Sequence, residues 1–425
     1  MSEENQELVE ENVPNPNHEG SVITVLNLSL VTLLVLLGLS MVSPILPSYA
    51  ESFQVSYTLV GFVVSSFAIT RMVLDVPAGL LSRRFDKKKI MISGLVILST
   101  SSIVAGLAPN YITLVIARMI EGVGSALYVT TATVFLAQIS GEEKRGQWMS
   151  LYMGMLLLGA VFGPTFGGII ADTYDIHAPF FAYAIITGLA VIPTLVLPKL
   201  TNSGNVSSTL ELRGILRDMR QVLSNPSFLL VTFAVFTMFL LRTGVRSTLV
   251  PLFAANNLGL DSSAIGLVLT IGAITSAITI VPMGRISDRI GRKIPLAICL
   301  VLTAGVVLLI PFSMDLLTLS IAIAIYGAVI GLSGPGAAYV TDVSPQDKLE
   351  ISMGLYRMIS DFGFVVGPLL LGFLADMTAT PVVGASHSGL IGVFPFVVAS
   401  IFLIVAFLVL LRADDPVRDR NHVKD

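Results

Sequence analysis

The chain has 425 residues, of which 54% are hydrophobic and only 12% are charged, and its net charge is −3. A soluble domain usually carries about 25% charged residues, so this composition excludes an ordinary water-soluble fold. The small net charge gives no indication of nucleic-acid binding. One cysteine, Cys299, excludes a disulfide framework and a cysteine metal site, and the four histidines have no metal-binding spacing, so we expect no metal and no cofactor.

Residues 1–20 form a polar segment with six glutamates and no lysine or arginine, which predicts a disordered tail. The segment lacks the basic region of a signal peptide, and the apolar run after it is too long for one. We therefore expect the first helix to remain in the mature protein.

Twelve apolar segments follow this tail. A helix needs about 20 apolar residues to cross a bilayer, and prolines within it are tolerated because neighbouring helices satisfy the freed backbone groups. The pattern predicts an all-α polytopic membrane protein with twelve transmembrane helices. The segments lie near residues 21–47, 57–81, 89–108, 111–136, 147–171, 178–198, 227–252, 263–284, 294–312, 315–341, 351–375 and 388–411.

The distribution of lysine and arginine predicts the orientation of these helices. Most of these cations lie in alternate connections and in the C-terminal tail, on one side of the membrane. Because cytoplasmic loops carry the excess of lysine and arginine, we expect both termini to be cytoplasmic. The loops of the other side hold no lysine or arginine but six acids, Glu51, Asp172, Asp175, Asp261, Asp315 and Asp376.

The segment 199–226 is the one long polar connection, and it separates a first six-helix half (21–198) from a second (227–412), which is followed by a tail at 413–425. Its stretch 211–223 has helical periodicity, which predicts an amphipathic helix on the inner membrane surface. An ordinary solvated linker helix is an equally good interpretation. The arginines of this stretch are Arg213, Arg217 and Arg220.

The two halves resemble each other in register. Gly163-Pro164 matches Gly367-Pro368, and the apolar run that ends at Asp172 matches the run that ends at Asp376. A parallel repeat of two six-helix halves is a recurring plan of membrane transporters, with the substrate site near the middle of the membrane between the halves. We therefore expect two pseudo-repeats around a central cavity.

Residues 284–293 read GRISDRIGRK and resemble the signature loop of the major facilitator superfamily. The first copy of the loop, which starts at Gly79, is degenerate: Arg83 replaces the aspartate of the family pattern and Asp86 replaces its second glycine. The basic run of the first copy is retained. The resemblance covers about residues 21–412.

The resemblance implies a cytoplasmic gate at these loops. We expect Gly284 and Gly291 to form tight turns, and Asp288 to meet a helix N-terminus or an arginine across the interface of the halves. The alternative is that the loop cations only follow the orientation rule. The expected gate residues are Asp75, Gly79, Gly284, Asp288, Arg289, Gly291 and Arg292.

Three further stretches resemble motifs of the superfamily. The run from Arg118 to Gly124 is similar to its helix-four motif, and Leu37-Gly38 with Pro44-x-x-Pro47 is similar to the helix-one motif of the drug/proton antiporter branch. The helix-five motif typical of that branch consists of small residues that permit close helix packing and a proline expected to kink the helix. Packing alone is the simpler interpretation. These residues are Gly159, Gly163, Pro164, Gly167 and Gly168.

Charged residues within the membrane are costly and are therefore functional candidates. Three Arg–acid combinations lie at helical spacing, so each is also compatible with a structural ion pair. The family resemblance links the arginine of helix four to proton handling, so Arg118 with Glu121 is the first candidate for proton coupling and Asp361 the second. The other combinations are Arg71 with Asp75 and Arg357 with Asp361.

Helix seven holds Arg242 and Arg246 with no acid beside them. We expect Arg246 to extend towards the outer interface and Arg242 to pair with Asp361, because the resemblance makes helices seven and eleven neighbours. The alternative is that Arg242 binds an anionic substrate. Helix one has no ionisable residue, which weakens a strictly cationic substrate class.

The resemblance implies a secondary transporter that exports amphipathic or hydrophobic small molecules in exchange for protons by alternating access. We expect a monomer in the plasma membrane whose partners are the substrate, protons and the lipid bilayer. The alternative is a transporter of an anionic metabolite bound by the helix-seven arginines. A receptor is not expected, because it would need a sizeable soluble signalling domain. An enzyme is not expected, because no catalytic constellation is present. The lack of a phosphate-binding loop argues against ATP-driven transport by this chain alone.

Overall fold

The computed structural model describes residues 20–140, 145–200, 212–380 and 389–415. Within this part of the chain, eleven helices are long and apolar enough to cross a membrane, and Phe394–Leu410 is a shorter apolar helix of 17 residues. The described residues form no β-strand beyond one bridge between Thr380 and Leu390. The prediction of an all-α polytopic membrane protein is confirmed, with one helix below the usual spanning length.

We number the membrane helices α1 to α12 in chain order. Four of them are composite: α6 is divided in two, α7 has a central π-helical segment, α9 ends in a short 3₁₀ segment, and α10 contains one. The helices are α1 Gly20–Met41, α2 Tyr57–Arg84, α3 Lys87–Gly106, α4 Tyr111–Ile139, α5 Arg145–Thr173, α6 Ala178–Leu189 with Val191–Val196, α7 Pro226–Leu241 with Arg242–Leu249 and Val250–Asn256, α8 Ser262–Ile290, α9 Lys293–Leu309 with Ile310–Phe312, α10 Leu316–Ile330 with Gly331–Ser333 and Gly336–Val343, α11 Leu349–Thr378 and α12 Phe394–Leu410.

The ends of the helices follow from short polar side chains. Ser56, Asn110, Asn225, Asp261 and Asp315 each accept a hydrogen bond from a backbone N–H three residues further on, at the starts of α2, α4, α7, α8 and α10. Such caps satisfy backbone donors that have no partner within the helix. This chemistry fixes where each helix begins at the membrane surface.

The first predicted segment, 21–47, is not one helix. Helix α1 ends at Met41, and a separate short helix, Leu46–Glu51, follows after a turn. Pro44 lies in that turn and Pro47 lies in the first turn of the short helix, where its missing N–H leaves no hydrogen bond unmade. The prolines therefore end the first membrane helix earlier than hydropathy alone predicts.

A linker helix, Leu212–Leu223, matches the predicted stretch 211–223. Its Asp218 lies 3.4 Å from Nζ of Lys348, which also contacts Gln221. Val222 is fully buried. The linker helix therefore packs on the second half of the protein, beside the start of α11.

The two halves meet along two seams. Helix α2 packs against α11, and α5 packs against α8. The helices of each seam come so close that an added side chain would overlap the opposite backbone: one at Gly168 would overlap the carbonyl oxygen of Ser262 in the α5–α8 seam, and one at Gly61 that of Pro368 in the α2–α11 seam. Small residues allow such backbone approach inside a membrane, where association depends on close packing rather than on the hydrophobic effect.

Replacing Gly168 with alanine is expected to destabilise the α5–α8 seam, because the new methyl group overlaps the Ser262 carbonyl. Overpacking of this kind costs about 1–3 kcal/mol. We expect a lower midpoint of thermal unfolding for the detergent-purified variant. Gly154→Ala on the same helix is the matched control, since nothing lies within 4 Å of a methyl group there. Equal midpoints for the two variants would contradict the close-contact argument.

Candidate functional site

The membrane helices end at two chemically different surfaces. We call the side with the signature segments and the linker helix the basic end, and the side with Asp172, Asp261, Asp315 and Asp376 the acidic end. The hydrogen bonds that the structure defines between the two halves lie on the acidic side of the seams, as described below. The basic end is where the seams separate.

At the acidic end, Asp376 at the C-terminal end of α11 binds the N-terminus of α2. Its carboxylate accepts hydrogen bonds from the backbone N–H groups of Tyr57 at 2.7 Å and Thr58 at 2.8 Å, and the Thr58 hydroxyl also donates to it. A carboxylate at a helix N-terminus satisfies free N–H groups and interacts favourably with the helix dipole. One half therefore caps a helix of the other.

The same contact recurs at the second seam. Asp172 at the end of α5 accepts from the backbone N–H of Ser262 at 3.1 Å and of Ser263 at 2.7 Å, at the N-terminus of α8. The repeat predicted the equivalence of Asp172 and Asp376 but not their role. The sequence did contain an indication, because matching acids stand at matching helix ends where the adjacent loops have no cation.

Hydroxyl contacts deeper in the membrane are also duplicated. The Ser65 hydroxyl of α2 donates to the carbonyl of Val365 at 2.7 Å, and the Thr270 hydroxyl of α8 donates to the carbonyl of Val161 at 3.0 Å. The Thr165 hydroxyl adds a bond of 2.8 Å to that of Thr270. These contacts close the seams from the acidic end to about one-third of the helix length.

Beyond these contacts the α5–α8 seam opens towards the basic end. A cavity of about 590 Å³ separates the two helices there, and its wall is almost entirely apolar. The structure is therefore closed at the acidic end and open at the basic end. Residues that line the cavity include Leu157, Leu158, Phe162, Ile274, Ala277 and Ile278.

The ion pair between Arg118 and Glu121 of α4 lies inside the first half. Nη1 of Arg118 is 2.6 Å from Oε2 of Glu121, and the side chains are 6% and 0% exposed. The guanidinium also lies 4.9 Å from the centre of the Phe67 ring on α2. Neither Nε of Arg118 nor Oε1 of Glu121 has a hydrogen-bond partner in the described part of the chain. The pair is therefore buried, and the Tyr183 side chain of α6 lies close enough to interact with Glu121.

The α2–α11 seam carries charge where the α5–α8 seam is apolar. Nε of Arg71 lies 3.9 Å from Asp75, whose carboxylate also accepts from the Thr130 hydroxyl at 2.8 Å. On α11, Arg357 and Asp361 form no ion pair within 4.0 Å among the described residues, contrary to the expectation from their spacing. Among the charged residues, Arg71 of the other half has the strongest electrostatic interaction with Asp361.

The prediction of an Arg242–Asp361 pair is wrong. Both helices are neighbours as expected, but Asp361 faces α2, because it lies on the seam side of α11. Arg246 does not extend to the outer interface either: its Nη2 donates to the carbonyl of Leu269 on α8 at 3.0 Å. Arg242 and Arg246 both lie in a π-helix, Arg242–Leu249, which was not predicted from the sequence.

The repeat detected in the sequence also appears in a comparison with family models. The model described as Major Facilitator Superfamily matches residues 28–253 and again residues 231–424. The chain belongs to the Major Facilitator Superfamily. It is therefore a multi-pass membrane transporter of small molecules and not an enzyme.

Relatives within the superfamily include drug-resistance proteins. Multidrug resistance protein 2 of Bacillus subtilis (strain 168) is 24% identical over 347 residues, which cover 80% of this chain and 86% of the relative. Multidrug resistance protein 1 of the same organism is 26% identical, with coverages of 80% and 87%. Quinolone resistance protein NorA of Staphylococcus aureus (strain COL) is 22% identical, with coverages of 81% and 88%.

Solved transporter structures share the fold. A bacterial homolog to the human lysosomal transporter Spinster, inward-facing and unoccupied, superposes with a TM-score of 0.76 at 15% identity and covers 96% of this chain and 98% of that chain. The nucleoside transporter NupG gives a TM-score of 0.71 at 14% identity, with coverages of 92% and 100%. These likenesses concern the architecture.

In this transporter the helix-five motif packs two interfaces. Side chains at Gly159, Gly163 and Gly167 would overlap the backbone or Ser40 of α1, within the first half. Gly168 and the carbonyl of Pro164 instead face α8 of the second half. Helix α5 continues through Pro164. The motif thus joins the cavity helix α1 to the seam of the halves.

The signature segments are mostly helical rather than looped. Gly284 lies inside α8 with no close neighbour that would require glycine, so the expectation of a tight turn there is wrong. Gly79 likewise lies inside α2. Gly291 does form a tight turn, with φ of 97°. At the corresponding position Asp86 has φ of −59° and caps α3 instead, so an ordinary residue fits.

The gate contacts of the second signature also differ from expectation. Asp288 does not reach the other half in the described structure; it forms an ion pair with Arg292, which also lies 3.2 Å from Asp342 of α10. Arg289 is exposed nearby. The segment therefore joins α8 to α10 within the second half while the basic end is open.

The retained basic run has a structural role in both copies. Nζ of Lys293 donates to the carbonyls of Leu411 and Ala413 at 2.6 and 2.7 Å, at the end of α12. Nζ of Lys88 likewise donates to the carbonyl of Leu195, in the last turn of α6. Cations at helix C-termini satisfy free carbonyls and interact favourably with the helix dipole.

Removing the two cross-half caps is expected to open the acidic end. Each cap contributes about 1 kcal/mol, and distant contacts add. Spin labels at Tyr174→Cys and Met314→Cys, both exposed at that end, report the separation of the halves. With Cys299 replaced by serine, Asp172→Ala with Asp376→Ala should lengthen the measured distance. Asp175→Ala, whose carboxylate caps only its own half, is the control. An unchanged distance in the double variant would contradict the assignment.

Breaking the buried ion pair is expected to destabilise the protein more than removing it. Arg118→Leu leaves the Glu121 carboxylate buried without a counter-ion, which costs about 3–5 kcal/mol. The double variant Arg118→Leu with Glu121→Leu should recover most of that loss. Unfolding midpoints of the purified variants measure this, with exposed Arg220→Leu as control. A double variant as unstable as the sum of the single variants would show that the two residues do not act as a pair.

Proposed function

We propose that this transporter exports amphipathic or hydrophobic small molecules in exchange for protons by alternating access. The observation that carries the proposal is the buried Arg118–Glu121 pair, in which one carboxylate oxygen and one guanidinium nitrogen have no partner among the described residues. The names of the drug-resistance relatives support the substrate class.

Proton exchange follows from the energetics of this pair. A proton that binds Glu121 removes the charge that balances Arg118, so the buried guanidinium then needs a different partner or water. A conformation that hydrates Arg118 is therefore favoured by the protonated carboxyl, and the dry conformation by the ionised pair. Each proton that binds in one conformation and leaves in the other biases the equilibrium between them.

The charged side chains of the α2–α11 seam are suited to close the basic end. Gly61 of α2 packs on Pro368 and Ser65 bonds to Val365, and the two helices run antiparallel. Continuing that register places Arg71 level with Asp361, and Asp75 level with Arg357, within about one helical turn. We infer that both pairs form across the halves when the basic end closes.

The charge of the loops also supports an orientation of the protein in the membrane. The absence of lysine and arginine from the acidic-end loops supports a cytoplasmic basic end, with both termini on that side of a plasma membrane. In that orientation the structure is inward-open. We propose that the protein is a monomer. Its segments are an N-terminal tail (1–20), a first six-helix half (21–198), a linker (199–226), a second six-helix half (227–412) and a C-terminal tail (413–425).

Purified protein in liposomes tests the proton exchange directly. We expect efflux of an anionic, a neutral or a cationic fluorescent dye to accelerate when a proton gradient opposite to the direction of dye movement is imposed. The acceleration should disappear with the proton exchanger nigericin, and in Glu121→Gln. Asp315→Asn is the matched control, because Asp315 only caps α10. Dye transport that ignores the gradient in the unmodified protein would overturn the coupling.

Exchanging charges across the seam tests the inner gate. Arg71→Asp and Asp361→Arg should each slow gradient-driven dye efflux, because each places like charges opposite one another. The double exchange restores opposite charges and should recover much of the rate. If the double variant is no faster than the slower single variant, Arg71 and Asp361 do not form a gate pair.

A further inference from the structure

The middle of α7 has an unusual backbone and an unusual charge. Its segment Arg242–Leu249 is a π-helix of 8 residues, a rare conformation that is frequent at functional sites. Both arginines of α7 belong to this segment, and they lie near the centre of the span Pro226–Asn256. Arg242 and Arg246 are four residues apart and interact as like charges.

These two cations have no acid to balance them. Neither Arg242 nor Arg246 forms an ion pair with a described acidic residue, and the ionisable residue of another helix that interacts with both is Tyr326 of α10. Nε of Arg246 is buried without a hydrogen-bond partner in the described part of the chain. Two unbalanced cations within a membrane are costly unless an anion or water compensates them.

Arg242 is also accessible. It lies deep among the helices, yet its side chain is exposed, whereas Tyr326 beside it is 1% exposed. A side chain that lies among the helices and is nevertheless exposed faces an open space between them, which we call the transport cavity. Because Arg242 already borders this space, it needs no conformational change to meet a ligand.

An aromatic strip leads along α7 to the two arginines. Phe233, Phe236 and Phe239 follow one another at intervals of three residues and are all partly exposed. Phe236 stacks on Phe362 of α11 at 6.2 Å between ring centres, and Phe239 meets Phe364 edge to face at 4.9 Å. The strip ends about 4.5 Å along the helix axis from Arg242, since each helical residue rises about 1.5 Å.

We propose that the site takes amphipathic organic anions, with an aromatic or other apolar body on the phenylalanine strip and a carboxylate or similar group on Arg242 and Arg246. This rests on the proposed function, because it names the substrate class of the same transport cavity. An arginine fork suits a carboxylate, which it can bind through two parallel hydrogen bonds. The ligand supplies the negative charge that the described part of the cavity wall lacks beside α7.

Binding to the purified full-length protein tests the substrate class without any transport step. The probes are 2-naphthoate, its neutral amide 2-naphthamide, and the cation 2-naphthylmethylammonium, which share one aromatic body. Titration calorimetry in detergent gives the three affinities. We expect the carboxylate to bind about tenfold or more tightly than the amide, because a buried charged hydrogen bond is lost in the amide.

Two variants assign that preference to the arginine. Arg242→Gln should bind carboxylate and amide equally, while Arg242→Lys, which keeps the charge, should retain part of the preference. Arg220→Gln on the linker helix is the control and should keep the full preference. Unfolding midpoints verify that the variants are folded. If Arg242→Gln does not fold, Arg242→Lys keeps the test decisive.

The outcomes separate this inference from the proposed function. Tighter binding of the amide or the cation, or an unchanged preference in folded Arg242→Gln, overturns the anion site but leaves proton exchange standing. Carboxylate preference that depends on Arg242 supports the anion site, even if dye transport in liposomes ignores the pH gradient. In that second case the proton coupling fails while the substrate class remains.

Discussion

The structure depends on one constraint, which is that a helix N-terminus at the edge of a membrane needs partners for its free N–H groups. Helices α2 and α8 receive part of theirs from the opposite half, through Asp376 and Asp172. Closure of the acidic end is therefore a matter of backbone satisfaction as well as packing. Because water can replace these carboxylates when the halves separate, the free-energy difference between closed and open states stays small, as a transport cycle requires.

The two seams are alike at the acidic end and different at the basic end. Equivalent caps, hydroxyl bonds and glycine contacts hold both seams together near the acidic surface. Further along, α2 and α11 present Arg71, Asp75 and Asp361, whereas α5 and α8 present an apolar gap. Charge can therefore influence the closure of the α2–α11 seam. The α5–α8 seam instead offers a surface compatible with lipid or with the apolar part of a substrate.

Sequence patterns predicted the parts of this molecule that depend on composition and local chemistry. Hydropathy placed the helices, and the repeat placed Asp172 and Asp376 at equivalent points. The spacing of Arg118 and Glu121 was sufficient because both lie on one helix. Spacing was not sufficient for Arg357 and Asp361, which lie on one helix but form no ion pair in the described structure. Hydropathy carries no information on helix rotation, so it did not indicate that Asp361 interacts with Arg71 of α2 rather than with Arg242. The π-helix of α7 was missed because no residue preference identifies it.

The duplicated contacts at the acidic end have a mechanical consequence. Ser65 with Val365 and Thr270 with Val161 are two equivalent points of attachment, one on each side of the central cavity. Two points define a line, so these two contacts define a hinge axis between the halves. Motion about that line is a single rotation, with tilt and twist both resisted by the pair. The tandem repeat therefore supplies the two equivalent contacts that define this hinge axis.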